Sequence, residues 1–264
     1  MKEYYFISGL PRSGSTLLSS ILLQNPDFHA DISTPIELFV QTSIDILTAN
    51  EMNTSILEEQ RKNIMYGIFD GYYKNIKKST IFDTSRSWTG KTSFLKSLFP
   101  YTKILCPVRD ITAILNSFEL IKSKNPFHAN TISNEKSNVF LRCGELLTQP
   151  DGLITEPLNY LKEGYALNPQ MIMFIEYDKM CKNPEKMMRD VYNFLEKPYY
   201  PHDFTNLNYS NKQFDLNCNA RDLHTVKKTV KYTPQSYILP QEIVKEYSSK
   251  KFEFWKDHKN LNYE

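Results

Sequence analysis

The sequence predicts an α/β fold with a central, mostly parallel sheet flanked by helices. Three observations carry this. Residues 3–9 form an apolar run closed by Gly9, and a glycine-bounded loop then leads into an amphipathic stretch. A second apolar run, residues 103–108, ends in Arg109-Asp110 and is followed by Ile111, Ile114, Leu115, Phe118 and Ile121 at helical spacing. Two further short apolar runs, residues 80–83 and 171–175, are set among helical patterns. Strands that alternate with helices pair in parallel through crossover connections.

Taken in order, residues 3–9 predict a central strand, because the run is apolar on both faces. A helix is expected over residues 14–24, with Leu17, Leu18, Ile21 and Leu22 on one face and Pro26 ending it. A second helix is expected over residues 34–49, with Thr34 as N-cap, Pro35 in its first position and Glu37 completing a capping box. A third starts at Ser55, again with a box-like Ser55-x-x-Glu58, and runs to residue 74. Residues 80–83 read as a strand with a polar end, 85–88 as a loop and 90–98 as a helix. The strand at 103–108 precedes a helix to residue 122, for which Asp110 is the N-cap. Residues 123–169 break the alternation. They read as a mainly helical insertion over the sheet's C-terminal edge, with helices at 134–148 and 155–164. The strand at 171–175 leads to a helix over 183–195, capped by Asn183-Pro184-Glu185. Residues 196–239 lack periodicity and read as a long functional loop, and a last helix is expected over 240–257. With no repeat and no low-complexity linker, residues 1–264 read as a single domain.

Composition limits the function. A hydrophobic share of 41% supports a sizeable core, whereas 17 tyrosines are too many polar rings for the core alone, so many are expected along a groove or rim. The net charge of +2 gives no strong attraction to nucleic acid or a membrane surface, so any basic site is local. Cys106, Cys143, Cys181 and Cys218 form no C-x-x-C pair, which argues against a zinc site or a disulfide framework. Free thiols suit a reducing cytoplasm, and Cys106 reads as a small core residue. The apolar run behind Met1-Lys2-Glu3 is too short for a signal peptide, and no later run reaches transmembrane length. The expectation is a soluble cytoplasmic protein with no membrane insertion.

The chemistry starts in the loop. Gly9-x-x-x-x-Gly14-x-Thr16 has the spacing of a phosphate loop, in which backbone N–H groups and a helix N-terminus surround an anion. One position departs: Ser15 stands where a kinase or ATPase carries Lys. The positive charge sits earlier, on Arg12, whose planar fork can hold two oxygens. Ser13, Gly14, Ser15 and Thr16 add hydroxyl and amide donors. A loop with Lys works with Mg²⁺ on a triphosphate; without it, a nucleotide carrying less charge at the transferred end is favoured. A second cluster follows the strand at 103–108, where Arg109 leaves the strand end and Ser117 lies two helical turns further on.

These two segments resemble those of sulfotransferases that use 3′-phosphoadenosine 5′-phosphosulfate (PAPS). Residues 6–18, FISGLPRSGSTLL, resemble that family's 5′-phosphosulfate loop. They are closest to the branch with tyrosylprotein sulfotransferases, which reads Pro-Arg-Ser-Gly where cytosolic members read Pro-Lys-Ser-Gly. Residues 104–118, ILCPVRDITAILNSF, resemble the 3′-phosphate element, with Arg109 and Ser117 as its gripping pair. Residues 175–180, with Asn183-Pro184-Glu185 behind them, resemble a Tyr-Glu-Asp-Leu segment that would place Tyr177 near the cofactor. The resemblance covers most of residues 4–200. It implies a P-loop NTPase-like three-layer fold, PAPS as donor and no metal. It leaves the acceptor open among small molecules, carbohydrates and peptides.

An in-line attack by an acceptor hydroxyl or amine needs a base. Glu37 is the first candidate, beside its competing reading as a capping-box residue, and Asp83 the second, beside a turn or cap role. The tyrosylprotein-like branch carries its base Glu near Ser33, so the match at Glu37 is not positional. His29 and His128 are lone histidines, more often structural. Family members often carry Lys in the segment of residues 83–86; here Thr84 stands there, and Arg86 or Lys91 would supply the charge instead. Trp88 can stack on adenine or lie in the core. The run at residues 221–231 reads as a basic lid with Lys227, Lys228 and His224, or as a solvated charge run. Two other readings remain open: a non-catalytic nucleotide sensor that kept the grip and lost the base, and a metal-dependent P-loop kinase.

Overall fold

The computed structural model describes residues 2–49, 54–124, 138–207, 209, 215–216, 223–248 and 252–258. Five strands, β1 (Glu3–Ile7), β2 (Phe28–Ala30), β3 (Thr80–Thr84), β4 (Ile104–Val108) and β5 (Ile172–Glu176), form one parallel sheet in the order β2-β3-β1-β4-β5. The helices are α1 (Ser15–Leu22), α2 (Ile36–Thr48), α3 (Glu58–Tyr72), α4 (Thr92–Leu98), α5 (Ile111–Lys124), α6 (Val139–Thr148) and α7 (Thr155–Leu167). After β5 come α8 (Tyr177–Lys182), α9 (Pro184–Phe194) and α10 (Gln241–Tyr247).

The strands alternate between two cores. Tyr4 and Phe6 of β1 face one, filled by α2 to α7 and α10, with Val40, Phe69, Leu95, Ile114, Leu161 and Ile243 among its members. Tyr5 and Ile7 face the other, filled by α1, α8 and α9 through Leu18, Ile21, Met180, Met188 and Val191. The α/β three-layer expectation therefore holds. The connection after β1 runs toward β2 and that after β4 toward β5, in opposite directions along the sheet. Ligands of open α/β sheets bind at such a switch point, beyond the C-terminal ends of the strands. That is where the loop after β1 and Arg109 after β4 lie.

Several local expectations are corrected. Thr34 does not cap α2: its Oγ1 donates to Asp83 Oδ2 at 2.7 Å, and Pro35 stands at the N-cap. Glu37 completes no box but meets Lys91 Nζ at 2.7 Å. Helix α3 begins at Glu58, where Gln60 Oε1 accepts from the Leu57 N–H at 2.8 Å. Strand β2 has three residues, too few for periodicity to reveal. Asp110 does cap α5, its Oδ1 accepting from the Ala113 N–H at 2.9 Å. Of the 17 tyrosines, Tyr4, Tyr5, Tyr73, Tyr192 and Tyr247 are buried in the core, which leaves others for a groove or rim. The expected helix over 134–148 begins at Val139 within the described residues, and the helix over 240–257 is a shorter α10 followed by a turn at Phe254–Lys256. His128, Cys218, Arg221 and Asp222 lie outside the described residues. Among the described residues no helix is long and apolar enough to cross a membrane.

Candidate active site

A cavity of about 890 Å³ opens at the switch point, toward the upper end of the usual range for small-molecule sites. Its floor is the loop between β1 and α1. Gly9 is required there because a Cβ would stand 2.1 Å from the Pro107 carbonyl oxygen, and Leu10 N–H donates to that same oxygen at 3.0 Å. Arg12 takes φ 57° and Gly14 φ 98°, so the chain turns twice through the left-handed region. A Cβ on Gly14 would also meet the Tyr177 ring at 2.6 Å. Gly14 then caps α1 with no side-chain hydrogen bond, so the first-turn N–H groups have no side-chain acceptor. Gly14, Ser15 and Thr16 line the cavity.

Arg12 and Arg109 meet above this floor. Arg12 Nε donates to Ser117 Oγ at 3.1 Å and its Nη1 donates to the Leu223 carbonyl at 2.7 Å. Arg109 Nη1 reaches the Arg12 carbonyl at 3.4 Å, and its guanidinium lies over the Tyr177 ring, 4.1 Å from the centroid. Burial and the neighbouring Arg109 push Arg12 down to about 10. Arg109 Nε is buried with no hydrogen-bond partner among the described residues. Two cations are thus crowded together, one with a buried donor that meets no acceptor among the described residues.

The structure brings most of the expected grip together: Arg12, Gly14, Ser15, Thr16, Arg109, Ser117, Tyr177 and Lys227 all line the cavity. Five expected site residues do not line the cavity. Ser13 is fully buried, and its hydroxyl donates inward to the Leu10 and Pro107 carbonyls. Trp88 is also fully buried, its centroid 4.9 Å from that of Phe6, with no face left for adenine. Lys228 is exposed and is not part of the cavity wall, whereas Lys231 is. Asp83 has no exposed surface; its carboxylate accepts from Tyr73 OH and Thr34 Oγ1 at 2.7 Å each and from Trp88 Nε1 at 2.6 Å. It braces the core and is not placed to reach an acceptor. Glu37, paired with Lys91, is likewise absent from the wall, so Arg86 is the replacement cation that reaches the cavity. His29 pairs with Asp31 at 3.1 Å, away from it.

Sequence reasoning missed three features. Glu156 and Tyr160 of α7 line the cavity, the tyrosine hydroxyl donating to the Glu156 Oε1 at 3.0 Å. Asp215 is buried against His224, which also lines the wall. His224 was legible as part of the basic run; the other residues had no local signal. Among the described residues no group of three or more His, Cys, Asp or Glu side chains is placed to hold a metal ion.

The profile described as "Sulfotransferase family" matches residues 5–201, about three quarters of the chain. The chain belongs to the sulfotransferase family. The matched span of this sulfotransferase runs from β1 past α9, and so includes the loop, Arg109, Ser117 and Tyr177. Among solved structures, mouse sulfotransferase SULT7A1 complexed with PAP aligns with a TM-score of 0.52 at 13% identity, covering 98% of this chain and 90% of that one. The sulfotransferase domain from the Synechococcus PCC 7002 olefin synthase aligns at 0.48 and 16%, covering 97% and 96%. The sulfotransferase domain from the curacin biosynthetic pathway aligns at 0.48 and 16%, covering 100% and 93%. At such identities the likeness to the mouse protein bears on the fold. A search of curated proteins finds no match.

Proposed function

We propose that this sulfotransferase uses PAPS as donor, moves its sulfuryl group to a hydroxyl or amine, and releases 3′,5′-adenosine bisphosphate (PAP). The observation that carries this reading is the meeting of Arg12 and Arg109 with Ser117 at the ends of β1 and β4. The residues suit a nucleoside that carries anionic groups at two positions of its ribose. The donor supplies an activated sulfuryl group with a phosphate as leaving group. Arg12 and the first-turn amides of α1 hold the 5′-phosphosulfate and stabilise charge that develops there. Arg109, through its unmet Nε, and Ser117 hold the 3′-phosphate. Lys227, with Lys231, adds positive charge from the segment above. A sulfuryl group carries less charge than a phosphoryl group, so the loop's own cations suffice and no metal is called for. The acceptor is a small molecule, a carbohydrate or a peptide, met in the cytoplasm.

Thermal unfolding tests this directly. PAP without metal should raise the melting temperature, and ATP with Mg²⁺ should not; a ligand at a hundred times its Kd adds about 2.7 kcal/mol. The reverse pattern would overturn the PAPS reading. The placement of Glu37 and Asp83 off the cavity favours a second reading, a sensor with the same grip and no proton acceptor. It predicts PAP binding with no turnover of PAPS.

A further inference from the structure

The segment of residues 252–258 packs against the first turn of α5, the helix that follows Arg109. Trp255 is buried in the core that also holds Ile111 and Ile114, and the Phe254 ring lies 5.7 Å from that of Phe174 in β5. Beside them Glu253 is 2% exposed. Its Oε1 accepts from the Ile111 N–H at 3.4 Å, its Oε2 pairs with Lys256 Nζ, and its carboxyl group hydrogen-bonds to that of Asp110. Asp110 in turn accepts from the Ala113 N–H at 2.9 Å and from Thr112 Oγ1. Helix α5 therefore has its cap in Asp110, and Glu253 is not needed for that purpose. What Glu253 adds is a tie: the two residues that directly follow Arg109 are both held by one buried carboxyl group of a distant segment.

We infer that Glu253 is a positioning residue for the 3′-phosphate grip. It fixes the start of α5 and so holds Arg109 where its guanidinium lies over Tyr177 and reaches the Arg12 carbonyl. The inference rests on the PAPS reading of the site. Two carboxyl groups in contact repel unless a proton lies between them. Burial raises the Glu253 pKa and Asp110 adds to the rise, while Lys256 opposes it. Burial acts to raise Asp110 as well, but hydrogen bonds from Glu253, Thr112 and the Ala113 N–H leave it below its ordinary value. The acid of the pair is thus Glu253, which donates to Asp110. Once that proton is lost, Lys256, which also senses Glu176 at the end of β5, balances only one of the two carboxylates. The remaining negative charge stands next to Arg109 in the chain and disfavours a bound phosphate.

PAP binding by calorimetry tests this in the full chain, with wild type, Glu253→Gln and Glu253→Ala. Glutamine keeps an oxygen for the Ile111 N–H and an N–H for Asp110, and so mimics the protonated acid. Alanine removes both. Near pH 5 Glu253→Gln should bind PAP within about twofold of wild type, and Glu253→Ala about 5- to 20-fold more weakly. Between pH 5 and pH 8 the ratio of the wild-type Kd to that of Glu253→Gln should rise by about threefold or more. The ionisation of the 3′-phosphate itself is common to both proteins and cancels in the ratio. If Glu253→Ala does not fold, wild type and Glu253→Gln still decide. A ratio that stays flat or falls as pH rises would overturn the inference, as would a Glu253→Ala that melts lower yet binds PAP as wild type does. Failure of PAP to bind any form would sink the donor reading, whereas equal binding by all three would sink only the role of Glu253.

Discussion

Arg12 Nε donates to Ser117 Oγ across 3.1 Å, joining the loop after β1 to the helix after β4. The same guanidinium reaches the Leu223 carbonyl, so one side chain fastens three distant segments around the cavity. Lys in its place would keep the charge but lose the fork that serves two directions at once. Arg12→Lys should weaken PAP binding by about 1.5–3 kcal/mol, roughly 10- to 150-fold in Kd. It should also speed amide exchange over residues 223–236 in the free protein. Calorimetry and hydrogen exchange read the two effects separately; unchanged affinity would contradict the role given to Arg12.

Arg109 makes the opposite case, because holding it beside Arg12 is costly. Its charge disfavours that of Arg12, and its Nε has no partner among the described residues. Arg109→Gln removes the like-charge contact and most of the desolvation burden. The free variant should therefore melt no lower than wild type, while PAP affinity falls by at least tenfold, about 1.4 kcal/mol. A variant that loses stability and retains PAP affinity would identify Arg109 as a structural residue.

Glu37 and Lys91 join α2 to the turn at Trp88–Lys91, with side chains only 17% and 16% exposed. Removing one partner leaves the other charge poorly solvated, a loss of about 1–3 kcal/mol. Glu37→Gln should be destabilised by that order in denaturant unfolding. Adding Lys91→Met should restore much of the loss, because the pair is then replaced by groups that need no partner. PAP binding and PAPS turnover should persist in both. A fall in turnover at full PAP affinity in Glu37→Gln would return Glu37 to the role of base.

Four of the five strands, their order of appearance and the cavity-lining residues of the loop after β1 were legible because each rests on local pattern. An apolar run, a glycine that must admit Pro107, and an Arg at a strand end are all visible within a dozen residues. What failed rests on contacts between distant segments. Thr34-Pro35-Ile36-Glu37 has the form of a capping box, yet Asp83 and Lys91 compete for its two polar side chains and win. Trp88 lay close to the grip in sequence, but its N–H found Asp83 in the core. Asp215 precedes His224 by nine residues in a stretch without periodicity, so no spacing rule could pair them. Glu156, in the first turn of α7, looks like any helix-start acid until the cavity is seen.

Asp83 gives a stability that depends on pH. Burial raises its pKa from 3.8 to about 6, against the lowering effect of hydrogen bonds from Tyr73, Thr34 and Trp88, with Asp31 adding to the rise. The folded protein therefore binds this proton more tightly than the unfolded chain does. The associated stability is fully present below about pH 3.8 and is lost as pH rises through about 6. The span of about two pKa units corresponds to roughly 3 kcal/mol. Asp83→Asn carries no titrating group, and its hydroxyl neighbours can rotate to meet an amide. Measured by urea unfolding, the stability of wild type minus that of Asp83→Asn should fall by about that amount between pH 4 and pH 7. Taking the difference cancels the other titrating groups, whose contributions the two proteins share. A difference that stays constant across this range, or grows with pH, would mean that Asp83 is as readily ionised in the fold as in the unfolded chain. The three donors around it would then outweigh its burial.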